Sequence, residues 1–240
     1  MLYSTYIKKR ANVLDKHKKF LEDKINSKEA VKKLGVQVPE LYHVMDTVDE
    51  IKNIKLPENC VIKFNNLSCS KGVVIRKNNI FLNYKNLNEV INYLKKYENI
   101  NSTKQKLMVE ELLKPSENVL YDIKCFCFYG QVKFIHVINP NKRNQCFMFD
   151  TKGNIRYIYK SDKYAKKNKI IKKPKFFDRI IQRATTVAEN LVKDYALRID
   201  FYSTTKGVMF GEFTFNPRAG TGLTEQGDKL MGSFLKNGSK

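Results

Sequence analysis

Leu197-Arg-Ile-Asp-Phe-Tyr202 and Val208-Met-Phe-Gly-Glu-Phe-Thr-Phe215, joined by Ser203-Thr-Thr-Lys-Gly207, are the stretch that decides the fold of this chain. Both runs are rich in aromatic and aliphatic residues around a polar, glycine-ended connection, the pattern of two neighbouring antiparallel strands. Side chains two apart on a strand share a face, so Arg198 lies with Asp200 and Glu212 with Thr214. Where those faces coincide, two carboxylates meet beside an arginine. Magnesium binds through one or two carboxylates together with substrate phosphates, and this set suits it. A plain cross-strand ion pair between Arg198 and Glu212 is the competing reading of the same residues.

Working outward, residues 176–195 form the longest predicted helix, and 160–175 carry eight lysines and one acid, the composition of a solvated surface loop. Residues 121–128 and 131–138 alternate strictly about Tyr129-Gly130 and predict a hairpin. Strands are expected at 36–42, 60–64, 72–76, 80–82 and 107–113, with Lys77-Asn-Asn79 turning the hairpin between the third and fourth. Helical spacing predicts helices over 47–54 and 87–97, and a helical segment over 4–34 broken near Asp23 to Ser27. Ser27 is the expected N-cap of its second half, which Gly35 ends. A glycine-rich tail begins at Pro217. The order is α+β with antiparallel sheets, divided as a helical segment over 1–58, a small lobe over 59–108 and a large lobe over 109–240.

With 42% hydrophobic residues in 240, the chain is expected to fold around a core. It has no apolar run of membrane-spanning length and no signal-peptide pattern at its start. Five cysteines without a C-x-x-C pair argue against a disulfide framework or a structural zinc site and favour a reducing cytoplasm. Cys125 and Cys127 alternate with Phe126 and Phe128 and read as core. The formal charge of +21 points to an anionic partner. Its excess is mostly scattered lysine, and no RNP, zinc-finger or helix-turn-helix signature accompanies it, so no specific nucleic acid is expected.

Two further elements carry chemistry. Val61-Ile-Lys63 followed by Asn65-Asn-Leu-Ser-Cys-Ser-Lys-Gly72 is a strand, a lysine and a small-residue loop. Such an arrangement cradles phosphates through the lysine charge and through loop amides and hydroxyls, although a strand-end lysine also snorkels. Glu110-Glu-Leu-Leu113 ends a hydrophobic strand, and Asp122-Ile-Lys124 lies in the hairpin. These acids are either solvated or accept hydrogen bonds from an adenine amine and ribose hydroxyls.

In this order the elements resemble the ATP-grasp superfamily, and most closely its TupA-like branch, over nearly the whole chain. Asp23-Lys-Ile-Asn-Ser-Lys28 with Leu34-Gly-Val-Gln-Val-Pro39 is similar to the segment opening the nucleotide-binding part of D-alanine–D-alanine ligases. Asp122-Ile-Lys-Cys-Phe-Cys-Phe-Tyr-Gly130 with Lys133-Phe-Ile, Asn141-Lys-Arg-Asn144 and Asp228-Lys-Leu-Met-Gly232 look like the TupA-like pattern. The resemblance implies an ATP-grasp fold of two α+β lobes gripping ATP between them, with Mg2+ as metal. It gives Lys24 and Lys63 to the phosphates, beneath a covering loop that includes Ser70 and Gly72. Glu110 would read adenine by its side chain, Glu111 and Leu113 by their backbone. Asp122 would take the ribose, and Lys124 also falls among the ATP-binding residues. Asp200 and Glu212, with Thr214 where many relatives have Asn, would hold metal, and Arg198 would stabilise the transferring phosphoryl.

The activity implied is ligation of a carboxylate to an amine through an acylphosphate, on a cell-surface polysaccharide or peptide-type conjugate. The rival readings are an ATP-grasp phosphotransferase and a basic nucleic-acid-binding protein. Many ATP-grasp ligases carry a separate domain before the Asp-Lys segment, whereas residues 1–22 precede it here. A partner protein or a second copy is therefore expected to complete the acceptor pocket; recruitment of an acidic acceptor is the alternative to the solvated-surface reading of the lysine-rich loop.

Overall fold

The computed structural model describes residues 1–11, 13, 15–68, 70–100, 105–141, 146–161 and 173–235. Cys69, residues 142–144 of the Asn141-Lys-Arg-Asn144 stretch and most of the lysine-rich 160–175 segment lie outside the described residues. The elements run α1 (Tyr3–Ala11), α2 (Lys16–Glu22), α3 (Lys24–Lys32), β1 (Leu41–Met45), a 3-10 turn (Asp49–Asn53), β2 (Cys60–Phe64), β3 (Val74–Lys77), β4 (Ile80–Phe81), α4 (Leu87–Lys95) and β5 (Leu107–Glu111). There follow β6 (Asp122–Phe128), β7 (Gln131–Ile138), β8 (Cys146–Asp150), β9 (Ile155–Arg156), α5 (Phe177–Leu191), β10 (Ala196–Thr204), β11 (Gly207–Thr214), a 3-10 stretch (Pro217–Gly220) and α6 (Glu225–Ser233). The fold is α+β, and its strand pairs are antiparallel.

The chain forms two compact units, one of Met1–Glu22, Asn26–Val38 and Lys114–Lys240, the other of Asp23–Ile25 and Pro39–Leu113. These boundaries differ from the expected 58 and 108. Met45 pairs with Leu107 and Leu41 with Glu110, so β1 belongs to the sheet of the smaller unit, and the chain after β5 stays with it to Leu113.

In the smaller unit the strand order is β1-β5-β2-β3-β4. Cys60, Ile62, Phe64, Leu107 and Val109 pack with Val90, Ile91 and Leu94 of α4, whose N-cap Asn86 accepts from the Glu89 amide at 3.0 Å. Strand alternation then turns Lys63, Met108 and Glu110 to the opposite face. Asn78 and Asn79 adopt left-handed φ values of 50° and 67°, the double left-handed turn that matches strand twist in a two-residue hairpin.

The larger unit has the order β11-β10-β6-β7-β8-β9. One face presents Ile123, Cys125, Ile135, Val137, Ile199 and Phe201 to Phe177, Ile180, Ala184 and Val187 of α5. The other presents Phe126, Phe128, Phe134 and Met148 to Tyr3 and Ile7 of α1 and Met231 of α6. Further along β6, this second face turns polar.

Several local expectations are corrected. Ser27 is inside α3 and fully buried; Asp23 is the cap, accepting from the Ile25 amide at 2.8 Å. A further break precedes α2, which Asp15 caps through the amides of His17 and Lys18 at 2.9 and 3.1 Å. The strand expected over 36–42 is interrupted because Pro39 has no amide to donate. Ahead of it Gln37 accepts from the Phe210 amide at 2.9 Å, and β1 begins only at Leu41. The tail after Pro217 contains α6, capped by Thr224 on the Gly227 amide at 2.9 Å. Its glycines allow close packing: a Cβ on Gly227 would stand 2.3 Å from the Ile158 carbonyl oxygen, and one on Gly232 2.3 Å from that of Met1.

Candidate active site

The residues singled out above fall into two groups, each inside one unit. In the larger unit β10 and β11 pair so that Arg198 opposes Thr214 and Asp200 opposes Glu212. This register exists because of a bulge. From the connection, Thr204 meets Gly207 and Phe201 meets Phe210; Gly211 is then extra, and Glu212 meets Asp200. Without the extra residue Glu212 would oppose Ile199, on the face buried against α5. Glycine is required there because a Cβ would lie 2.9 Å from the Tyr202 ring and 3.1 Å from the Asp200 carbonyl oxygen.

Asp200 is 2% exposed. Its Oδ1 accepts from Arg198 Nε at 2.6 Å, and its Oδ2 from the Arg198 terminal nitrogen at 2.7 Å and from Lys124 Nζ at 3.0 Å. Arg198 also donates to Thr214 Oγ1 at 2.9 Å, and Lys124 bridges to Asp122 at 2.8 Å. Burial would push the Asp200 carboxyl up, but the charges of Arg198 and Lys124 and their hydrogen bonds outweigh it and hold the acid low. Burial likewise opposes the Arg198 charge, and Asp200, then Glu212 and Asp122, more than restore it. The arginine thus chelates its own strand's aspartate, with the Glu212 charge also acting on it.

Three carboxylates (Asp122, Asp200, Glu212) and two cations (Lys124, Arg198) leave this face with a formal excess of one negative charge. Among the described residues no group of three or more His, Cys, Asp or Glu stands as a metal cage. Magnesium requires none, since one or two carboxylates plus phosphates suffice. Asp200 and Glu212, directly opposed, fit that requirement; Thr214 has its hydroxyl on Arg198.

In the smaller unit Lys63 forms an ion pair with Glu110, the two side chains being 18% and 6% exposed. Lys24 donates through Nζ to the Leu67 carbonyl at 2.5 Å and through its amide to Asn65 O at 3.0 Å, and Asn65 donates to Asp23. The Asp-Lys segment is thereby laced to the loop that follows Lys63. That loop turns through left-handed Ser70 (φ 60°) and Gly72 (φ 63°), and a Cβ on Gly72 would sit 2.8 Å from the Phe64 ring. Glu111 gives its amide to the Glu40 carbonyl at 2.9 Å. Leu113 closes the unit, half-buried.

Sequence reasoning passed over His136 and Lys18. His136 is buried, opposes Lys124 in register and stacks on Tyr159 at 5.5 Å. A regular hairpin about Tyr129-Gly130 would put Ile135 there; an irregularity after Phe126 shifts the register by one. Lys18 donates at 3.1 Å to the side-chain oxygen of Asn216 when that amide is turned to suit its neighbours. Nothing in the local pattern around Lys18 signals a contact so distant in sequence.

An antiparallel sheet with opposed carboxylates beside an arginine, and a second sheet carrying a lysine ahead of a small-residue loop, define an ATP-grasp protein. Within that class, the chain belongs to the TupA-like ATP-grasp family, whose model matches residues 5–236. Among solved structures it is similar to a D-alanine–D-alanine ligase from Helicobacter pylori, at 16% identity and TM-score 0.60 over 91% of this chain. It is also similar to VanG D-Ala:D-Ser ligase from Enterococcus faecalis, at 15% identity and TM-score 0.57 over 92% of this chain. A third is the biotin carboxylase domain of a Hydrogenobacter thermophilus 2-oxoglutarate carboxylase, solved with MgADP, ADP and bicarbonate, at 18% identity and TM-score 0.52; the likeness covers 82% of this chain and 40% of that one. At these identities the likeness is one of fold. The chain spans 60% and 61% of the two ligases' length. None of the curated protein sequences matches it.

Proposed function

We propose that this protein is an ATP- and magnesium-dependent ligase that joins a carboxylate to an amine and releases ADP and phosphate. The observation that carries the reading is the opposed Asp200–Glu212 pair, with Asp200 held low by Arg198 and Lys124. Asp200 and Glu212 would hold magnesium, with Thr214 in support, and the ion would offset phosphate charge as the γ-phosphoryl moves. Lys24 and Lys63 take the phosphates under the Ser70–Gly72 loop. Glu110 and the Glu111 and Leu113 backbone meet adenine; at Glu111 the carbonyl serves, because the amide is bonded to Glu40. Asp122 takes the ribose, with Lys124 beside it.

Arg198, fixed by two bonds to Asp200, is already oriented to stabilise charge on a phosphoryl passing to the substrate carboxylate. The amine then attacks the acylphosphate carbonyl and phosphate leaves. No side-chain nucleophile is needed, since positioning and charge neutralisation supply most of the acceleration. Cys60, Cys125 and Cys127 are buried free thiols, which supports the cytoplasm as the setting. Among the described residues no helix is long and apolar enough to cross a membrane. The acceptor class is a cell-surface polysaccharide or peptide-type conjugate.

The test is ADP release across pairs of acids and amines, followed by mass spectrometry of the product. Release that needs both substrates and yields an amide supports the reading. ADP without amide would make the protein a phosphotransferase, and salt-dependent nucleic-acid binding without magnesium-dependent ATP affinity would remove it from catalysis altogether.

A further inference from the structure

The N-terminal helices build a cationic cleft at the end of the carboxylate strand. A shallow, solvent-open cleft is bounded by Arg10, Asp15, Lys18, Tyr195, Phe215 and Asn216, all within the larger unit. Asn216 lies just beyond β11, where the chain bends ahead of the 3-10 stretch that begins at Pro217.

The charges in this cleft do not cancel. Asp15 is occupied: one oxygen caps α2 through two amides, and the other accepts the Tyr195 hydroxyl. Arg10 lies over the rings of Tyr195 at 4.9 Å and Tyr6 at 5.6 Å and donates to the Tyr6 hydroxyl at 3.2 Å. Among the described residues it makes no ion pair, so a guanidinium held by two aromatic faces keeps donors for an incoming anion. Lys18, its side chain 11% exposed, pairs among the described residues with one carboxylate, that of Glu22 at the long distance of 4.0 Å, and also donates to Asn216.

We infer that Arg10, Lys18 and Asn216 form a binding subsite for a carboxylate of the substrate other than the group that reacts. The inference rests on the ligase reading above. Asn216 is two residues, at most roughly 7 Å of chain, beyond Thr214, where Arg198 is anchored. That span matches a small bifunctional molecule: a dicarboxylate, or an amino acid whose side chain carries a second carboxylate. The planar fork of Arg10 and the point charge of Lys18 then clamp one carboxylate while the other end reaches the phosphoryl.

Calorimetry on the full chain tests this with glutarate and L-glutamate as probes, and with inorganic phosphate and Mg·ATP titrated separately. Glutarate or L-glutamate is expected to bind, and Arg10→Gln and Lys18→Met each to weaken that binding about tenfold or more, as loss of a charged hydrogen bond does. Mg·ATP affinity should stay within about twofold of wild type in both, the resolution of such comparisons. Arg10→Lys keeps the charge and the packing but not the fork, and is expected to fall between. The subsite is overturned if neither carboxylate binds at about 10 mM, if the folded double variant binds as tightly as wild type, or if phosphate binds as tightly as either carboxylate. Absence of Mg·ATP binding in the wild type would instead strike the ligase reading itself.

Discussion

Asp200 and Glu212 stand directly opposite each other in neighbouring antiparallel strands, immediately before the point where their register slips by one residue. Opposed side chains on one face have Cβ atoms roughly 5 Å apart, close enough for one cation to bridge. Both the electrostatics of the site and its fragility follow from that placement.

Asp200→Asn keeps the volume but leaves two cations beside a neutral amide in a site 2% exposed. Removing one partner of a buried ion pair typically costs about 3–5 kcal/mol, and a large loss of stability is expected in urea unfolding. Magnesium-dependent ATP affinity should fall about 10- to 100-fold, as for lost charged contacts. Unchanged affinity in a folded Asp200→Asn, Glu212→Gln double variant would remove the metal assignment.

The same residue sets an acid limb in stability. Its folded pKa lies below that of the unfolded chain, so the native state binds fewer protons. That contribution is complete above the unfolded carboxyl value near 4 and is lost as pH falls through the folded one. Urea midpoints measured from about pH 5 downward should decline more steeply in the wild type than in Asp200→Asn, where Asp15, Asp49 and Asp150, also held low, keep part of the slope. An equal slope in both would assign the limb to other acids.

Gly211→Ala places a methyl 2.9 Å from the Tyr202 ring and 3.1 Å from the Asp200 carbonyl oxygen. The ring can move, whereas the carbonyl is part of the ladder. Overpacking of this kind costs about 1–3 kcal/mol, and because the strain falls on Asp200, Mg·ATP affinity should drop with stability. Adding Tyr202→Ala is expected to recover only part of both.

Lys63 and Glu110 form a mostly buried pair on the open face of the smaller sheet. Lys63→Met should weaken ATP and ADP about tenfold while leaving adenosine unchanged, since the lysine serves phosphate. Glu110→Gln should weaken all three, because it changes the adenine contact and also frees the lysine. Calorimetry with the three nucleotides separates the roles; a Lys63→Met effect on adenosine would contradict the phosphate assignment.

Burial pushes the Cys60 thiol up to about 11 despite nearby Arg76, and raises Cys125 and Cys127 above the ordinary thiol range. Thiolate is the reactive form, so peptide mapping should find these three unmodified by iodoacetamide in the native protein and modified in urea. Native-state labelling at Cys125 or Cys127 would contradict their packing against α5.

Much of this was legible in the sequence where local chemistry governs. Cys60–Phe64 forms β2 at its predicted bounds, the Tyr129-Gly130 and Asn78-Asn79 turns sit where φ values favour them, and α4 follows its apolar spacing. Reading failed where a residue type served a distant partner. Gly227 and Gly232 signal a loop by composition yet sit inside α6, where they let backbone approach, and Ser27 looks like a cap that Asp23 provides.

The pairs Arg198 with Asp200 and Glu212 with Thr214 follow from the sequence alone, because strand side chains alternate with a period of two. Whether the two pairs share a face does not follow from it. The bulge at Gly211 decided that, and the irregularity after Phe126 brought His136 rather than Ile135 opposite Lys124. Only the packed sheet selects these registers: each shift keeps apolar residues against α5 and turns the charged ones to the other face, and a slip of one residue would bury Glu212 in the core.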